Sequence, residues 1–391
     1  MWTHIDVLSY KRLSDKILWS NEREFQQSIT QHQTVALECL QTYASQSTRY
    51  IHIGDLVNND ILWYIRAKCS NLKYIKLTKV VSTKFPHATL CSLPRNLQII
   101  CLRLLTFHGK ERSNVIVSSH LQDFVVEPFL LLRHLCLDGA HISSEFCEQL
   151  CISEELTTLK LQSCVFDANT TDAFDNLTRT LKKLKRVDLA FCNFLDTYIL
   201  EQILRSIALN LTNCEQYSFH CLQRANGVKF DEFLRLVSTN RSLRGLKLSA
   251  IQGITPDVFD DFLRQNPDIE SLHLRFCRTV NDETLRSVVK HLRHLKELKL
   301  SGCRDITKNG IRALAHHPYL EVLEIAEMDI ALETILFVVR LLPSINQLVL
   351  SAHACKVCTK VFRREKPNLN IVLATLDYQE YLEHFNIQTA P

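Results

Sequence analysis

Glycine is scarce, with eight in 391 residues, and so little of it leaves no material for a Gly-rich phosphate loop or the nucleotide chemistry that goes with one. An excess of charge of one sign is missing too. Lys and Arg (46) nearly balance Asp and Glu (42) for a formal net charge of +4. The basic residues are spread along the chain instead of gathered into a patch, which argues against a nucleic-acid partner. Long apolar runs are also lacking. The two longest, 124–132 and 335–342, are interrupted by Glu127 and Arg340 and fall well short of the ~20 residues of a membrane-spanning helix. The opening residues MWTHIDVLSYKRLSDK have neither the apolar core of a signal peptide nor the Arg-rich, acid-free character of a transit peptide. These absences predict a cytoplasmic or nuclear protein with no membrane contact and no cofactor.

Cysteine, by contrast, is plentiful, at fifteen. The odd number, and the return of several at one place in a repeat, suit small buried thiols better than a disulfide ladder. Sequons at Asn169, Asn210 and Asn240 would matter only in a secreted chain. Cys355 and Cys358, with His353 nearby, form the one metal-like cluster, but a structural zinc site needs four ligands and no second pair is evident. His316 and His317 stand at repeat positions with no acid or nucleophile at a meaningful spacing. No catalytic residue can be assigned, and the chain reads as a non-enzyme.

What is abundant is leucine at a fixed spacing. With 46% hydrophobic and 23% charged residues the chain can bury a large core. The phrase leucine, two residues, leucine, one residue, leucine returns at Leu132/Leu135/Leu137, Leu156/Leu159/Leu161, Leu184/Val187/Leu189, Leu243/Leu246/Leu248, Ile269/Leu272/Leu274, Leu295/Leu298/Leu300, Leu320/Leu323/Ile325 and Ile345/Leu348/Leu350. Weaker copies stand at Leu72/Ile75/Leu77 and Leu97/Ile100/Leu102, with a first strand expected at Ile51 and Ile53, a degenerate last copy near 369–373 and an aberrant one at Cys214/Tyr217/Phe219. From Leu243 onward the anchors are 26, 26, 25 and 25 residues apart, within the period of leucine-rich repeats. The longer interval from Leu97 to Leu132 predicts an exposed insertion at 108–114. Within each unit the apolar period passes from 2 to helical spacing, as at Leu285, Val288, Val289 and Leu292. Each unit is therefore strand, turn and helix. The expected fold is an α/β leucine-rich-repeat solenoid, a curved parallel sheet on its concave face and helices on its convex face.

Two sets of positions follow from this register. Cys164, Cys192, Cys277 and Cys303 each stand eight residues after an anchor, where an inward turn has room for a small thiol that can also satisfy a backbone group. The residues between the leucines point away from the core, which puts Thr158, Lys160, Gln162, Arg186, Asp188, Lys247, Ser271, His273, Arg275, Glu297 and Lys299 on the concave face. Lys247, His273 and Lys299 would then be neighbours in one column. Such a basic column suits an acidic or phosphorylated segment of a client protein, with Arg275 able to make bidentate contacts; the alternative is a merely solvated basic face.

LHLRFCRTVNDETLRSVV (272–289), LKLSGCRDITKNGIRALA (298–315) and CSNLKYIKL (69–77) resemble the cysteine-containing repeats of F-box and leucine-rich-repeat proteins over roughly residues 48–376. In that family an F-box of ~40–50 residues binds the Skp adaptor of a cullin-type ubiquitin ligase. A whole F-box is not visible. Trp2 and Ile5 resemble its end, a tryptophan before an apolar strand-like exit. The missing part stands upstream of Met1, or the chain is a form that cannot dock the adaptor, or the match at Trp2 is accidental. Helical spacing at Phe25, Ile29, Leu37 and Leu40 predicts one or two helices over 17–45 that cap the first repeat. The expected organisation is an F-box remnant and cap (1–47), about 12–13 repeats (48–376) and a tail (377–391). The resemblance implies the substrate-recognition subunit of an SCF-type ubiquitin ligase, with Skp adaptor and cullin as further partners if a complete F-box exists. The alternative is a plain repeat adaptor or scaffold.

Overall fold

In each repeat phrase the branched apolar residues alternate with polar ones, so a strand built from it buries one row of side chains and shows the other to solvent. The computed structural model, which describes residues 4–7, 34, 36–57, 59–81, 93–105, 130–222, 228 and 230–374, places these phrases in parallel strands. The fold is an α/β leucine-rich-repeat solenoid. The chain divides into two compact units, Met1–Leu211 and Thr212–Pro391.

In the first unit seven described strands run side by side in chain order: His4–Val7, Tyr50–Val57, Tyr74–Val81, Ile99–Leu105, His134–Asp138, Thr158–Gln162 and Arg186–Ala190. In the second the order is Gln216–His220, Gly245–Ser249, Ser271–His273, Glu297–Lys299, Val322–Glu324, Gln347–Leu350 and Asn370–Leu373. The middle leucines of the phrases pair with one another, as in Leu135 with Leu159 and Leu272 with Leu298, and are buried. The sheet begins earlier than anticipated. His4–Val7 pairs with Tyr50–Val57, Ile5 opposite Ile51, and Ile5 is only 5% exposed. Of the anticipated cap, residues 34 and 36–43 are helical and bury Ala36 and Leu40. Trp2, the 108–114 segment and the 377–391 tail lie outside the described residues.

Helices start where a short polar side chain can take the first free amides. Asp196 accepts from Ile199 N at 2.9 Å before helix Thr197–Asn210. Asn281 and Thr284 form a reciprocal capping box before helix Asp282–His291. The aberrant copy is tolerated because it is aromatic throughout its surroundings. Tyr217 and Phe219 meet Phe233 edge-on, with centroids 5.5 and 5.1 Å away. The Tyr217 hydroxyl accepts from Asn240 Nδ2 at 3.2 Å, which leaves no buried polar group unsatisfied there.

The eighth-position cysteines are fully buried, and each thiol donates to a carbonyl of the preceding repeat: Cys164 to Leu137 O (3.8 Å), Cys192 to Leu161 O (3.4 Å), Cys277 to Leu248 O (3.7 Å) and Cys303 to Leu274 O (2.8 Å). One position earlier lies a feature that the sequence does not announce. Gly139, Ser163, Phe191, Cys221, Ala250, Phe276, Gly302 and Glu327 all have positive φ, between 44° and 79°. Each stands seven residues after its anchor, and the strand there turns a left-handed corner towards its helix.

Candidate functional site

The fourth residue after each anchor lies between two buried leucines and so belongs to the face of the sheet away from the core. In the first unit this column reads His52, Lys76, Cys101, Cys136, Lys160 and Asp188, each opposite the next. Lys160 Nζ lies 3.7 Å from Asp188 Oδ2. Two residues earlier on each strand a second column carries His4, Tyr50 and Tyr74. Their rings stack with centroids 3.8 and 4.3 Å apart, an arrangement that parallel strands about 4.8 Å apart favour for like rings. Further along this second column stand His134, Thr158 and exposed Arg186. Burial, then the charges of Arg186 and Arg133, hold the His134 ring below its ordinary pKa. Lys160, Arg186 and Asp188 are thus brought together, on a face that also carries tyrosines and cysteines.

In the second unit the column reads Ser218, Lys247, His273, Lys299 and Glu324, so Lys247, His273 and Lys299 are successive neighbours. The expectation of an exposed basic column needs correction in two places. His273 is buried. Its Nε2 donates to Glu297 Oε2 at 3.1 Å, and Ser271 Oγ donates to the same oxygen at 2.7 Å. Arg275 and Lys299 are matched within the chain. Arg275 Nε donates at 2.6 Å to Glu324 Oε1, its Nη2 donates to Oε2, and Lys299 Nζ lies 2.7 Å from Glu297 Oε1. The physical reason is that two carboxylates stand within reach, Glu297 on the strand beside His273 and on the same strand as Lys299, and Glu324 on the strand beyond, so the like charges of the column are neutralised within the chain.

Burial dominates the titration of this cluster. It holds the His273 imidazole down at about 4 against the hydrogen bond to Glu297, which favours the charged ring. Burial also works to raise the Glu297 carboxyl, but hydrogen bonds from His273, Lys299 and Ser271 outweigh it and keep the group well below the usual carboxylate range. His273 is therefore neutral in the folded chain at pH 5, whereas the unfolded chain takes up its proton near pH 6.5. Stability from this residue is complete above about pH 7 and declines as pH falls through 6.5 towards 4; Glu297 adds a further decline below about pH 4.5. Between pH 7.5 and 5 the loss from His273 amounts to about 2 kcal/mol. A His273→Gln chain is expected to show a flatter dependence, read as protection of unit-two amides in hydrogen exchange at the two pH values; an unaltered slope would refute the assignment.

The tyrosine stack and the adjacent cysteines were not singled out from the sequence. The signal was present, because the weak copies at Leu72 and Leu97 and the copy at Leu132, once aligned, put Lys76, Cys101 and Cys136 at one repeat position. His317 donates to Leu292 O at 2.9 Å and is buried, a structural residue. On the helix side Asp260 is held by Ser287 (2.6 Å) and His291 (3.0 Å). Cys355 and Cys358 lie on helix Ala352–Glu365. Among the described residues no group of three or more His, Cys, Asp or Glu could hold a metal ion, and no helix is long and apolar enough to cross a membrane.

No family model matches the sequence, and no curated protein matches it. Among solved structures the chain is similar to an internalin of Listeria monocytogenes, at 15% identity over 92% of this chain and 93% of that one, with a TM-score of 0.44. It is also similar to a crystal structure of the Rad7 and Elc1 complex in yeast, at 12% identity over 91% of each chain and a TM-score of 0.41. A leucine-rich-repeat protein of Leptospira interrogans gives 18% identity over 83% of this chain and 76% of that one, with a TM-score of 0.39.

Proposed function

We propose that this chain is a protein-binding repeat scaffold whose client lies on the open face of the first unit, and that it serves as the substrate-recognition subunit of an SCF-type ubiquitin ligase. The observation that carries the binding reading is the make-up of that face. Lys76, Lys160 and exposed Arg186 stand beside a stacked His4, Tyr50 and Tyr74 ladder. Rigid aromatic surface flanked by cations is the composition of a recognition surface and suits an acidic or phosphorylated segment. The ligase reading rests on the resemblance of 272–289 and 298–315 to F-box repeat text. In that mechanism the scaffold holds a client near the transfer machinery, and proximity alone raises the rate.

One observation favours the second reading, a scaffold without ubiquitin work. Ile5, one of the two residues that resemble an F-box end, is buried in the sheet against Ile51, which accounts for its apolar character without an adaptor.

Co-purification from cells separates the two. Skp adaptor and cullin recovered in stoichiometric amount with the tagged chain support the ligase reading; clients recovered without either support the scaffold. In the Lys160→Gln, Arg186→Glu double variant, clients are expected to be recovered at least roughly tenfold less well, the equivalent of one lost charge-assisted contact, with overall stability within about 1 kcal/mol of the parent. Undiminished capture would remove the first-unit face as the binding surface. Arg275→Glu and Lys299→Glu would not test a binding face, since they put new carboxylates against Glu324 and Glu297.

A further inference from the structure

Cys101 and Cys136 occupy the same position in consecutive repeats. Strands Ile99–Leu105 and His134–Asp138 set them directly opposite each other. Both are half-buried, while their strand neighbours Ile100, Leu102, Leu135 and Leu137 are buried in the core, so both thiols belong to the open face and share a hydrogen bond. Register-matched residues of adjacent strands stand about 4.8 Å apart, inside the Cα separations that a disulfide accepts and short of the commonest ones. Lys76 lies opposite Cys101 on one side and Lys160 opposite Cys136 on the other. The eighth-position cysteines also recur in consecutive repeats, but they are fully buried and bonded to backbone carbonyls.

We propose that Cys101 and Cys136 form a thiol–disulfide exchange site on the sheet face, taking a low-molecular-weight disulfide as its reactant, with Cys101 attacking and Cys136 resolving. The Cys101 thiolate attacks one sulfur of the small disulfide RSSR, forming a mixed disulfide and releasing RS⁻. Cys136 then gives up its proton and attacks the Cys101 sulfur, forming the Cys101–Cys136 bond and releasing the second RS⁻, which takes that proton. The protein dithiol is oxidised by two electrons and RSSR is reduced to two thiols. The division of labour follows from the surroundings. The hydrogen bond from Cys136, the charges of Lys76 and Lys160 and a hydrogen bond from Tyr74 outweigh burial and bring Cys101 down to about 7. Cys136 is pushed up by the hydrogen bond to Cys101, by burial and by Asp138, against Lys160. At pH 7 a thiol near 7 is half ionised against about one in a hundred for an ordinary one near 9, and its lower nucleophilicity takes back about tenfold, so Cys101 should react about fivefold faster than an ordinary exposed cysteine. Geometry away from the commonest disulfide form makes the bond easily reduced again.

The test uses the full reduced chain and glutathione disulfide, with peptide mapping by mass spectrometry. Expected is a peptide pair joined through Cys101 and Cys136, lighter by two hydrogens, formed while the circular dichroism spectrum is unchanged and reversed by excess glutathione. In Cys136→Ser, Cys101 should instead accumulate as the glutathione mixed disulfide, about fivefold faster than Cys39, Cys151 or Cys355, which are partly accessible. In Cys101→Ser, Cys136 should react no faster than those three. The proposal is overturned if no joined peptide forms and Cys101 in Cys136→Ser reacts no faster than the reference cysteines, or if Cys136 proves the faster thiol in Cys101→Ser. This site stands independently of any client, so its failure would leave the binding reading untouched.

Discussion

A Gly302→Ala chain is expected to lose about 2–5 kcal/mol of local stability. Gly302 turns the corner of its repeat at φ +75°, where an added Cβ costs about 1–2 kcal/mol. That Cβ would also fall inside the van der Waals envelope of the Phe276 ring, which belongs to the equivalent corner of the preceding repeat, and relieving such overpacking costs roughly 1–3 kcal/mol more. Phe276 cannot easily give way, because it stands at φ +56° itself. Units of a repeat array open semi-independently, so a global midpoint is a poor gauge. The proper measurement is hydrogen exchange in peptides covering 295–326, where protection should fall by about 1.5 to 3.5 powers of ten. Ala250→Gly, a change of opposite sense at a corner without a glycine, serves as the control and should not lose protection. Equal protection in Gly302→Ala and the parent would refute the account.

Replacing either partner of the Arg275–Glu324 pair should have unequal effects. The Glu324 side chain is 4% exposed and that of Arg275 29%. Arg275→Ala strands a buried carboxylate, a change that costs about 3–5 kcal/mol in comparable buried pairs. Glu324→Leu leaves a guanidinium that can turn to solvent on its flexible stem, while leucine fills much of the vacated volume, and about 1–2 kcal/mol should be lost. Hydrogen exchange over Val322–Glu324 and Gln347–Leu350 measures both. Equal losses, or a larger loss for Glu324→Leu, would show that the asymmetry of burial does not control the pair. The pair links the end of one repeat's strand to a strand two repeats on, so it also fixes the position of a residue that sequence reasoning had offered to a client.

The fold was legible because its signals are periodic and apolar. Leu243, Ile269, Leu295, Leu320 and Ile345 recur at intervals that only one class of architecture explains, and the cysteines eight residues on are small enough to reveal an inward turn. The strand-like text at His4–Val7 was not read as part of the sheet, because it contains no anchor leucine, only Ile5 and Val7 between polar residues. The left-handed corners were missed for a different reason. Backbone strain announces itself through glycine or asparagine, and here serine, phenylalanine, cysteine, alanine and glutamate hold six of the eight corners. The site was half legible. Alternation puts Lys160, Arg186, Asp188, Lys247 and Lys299 on the side of the sheet away from the leucines, but pairing depends on which acids the nearby strands carry. His273 thereby passed for a surface cation when Glu297 and Ser271 enclose it.

The corner has a consequence for how the chain tolerates change in length. From anchor to corner the count never varies, whereas the stretch from corner to next anchor does, since it holds a helix and loops of differing extent. The repeat therefore has a phase that is locked over one short interval and free over the rest. Loss of a single residue between Leu295 and Gly302 would turn Leu298 and Leu300 outward and carry the corner off its backbone conformation. Gain or loss of a residue after the helix Lys308–Ala313 would instead be taken up in the turn before the next anchor, without moving a strand residue. Removal of one whole unit, anchor to anchor, would restore every pairing one step along, so for this architecture a large deletion in phase is gentler than the smallest one out of it.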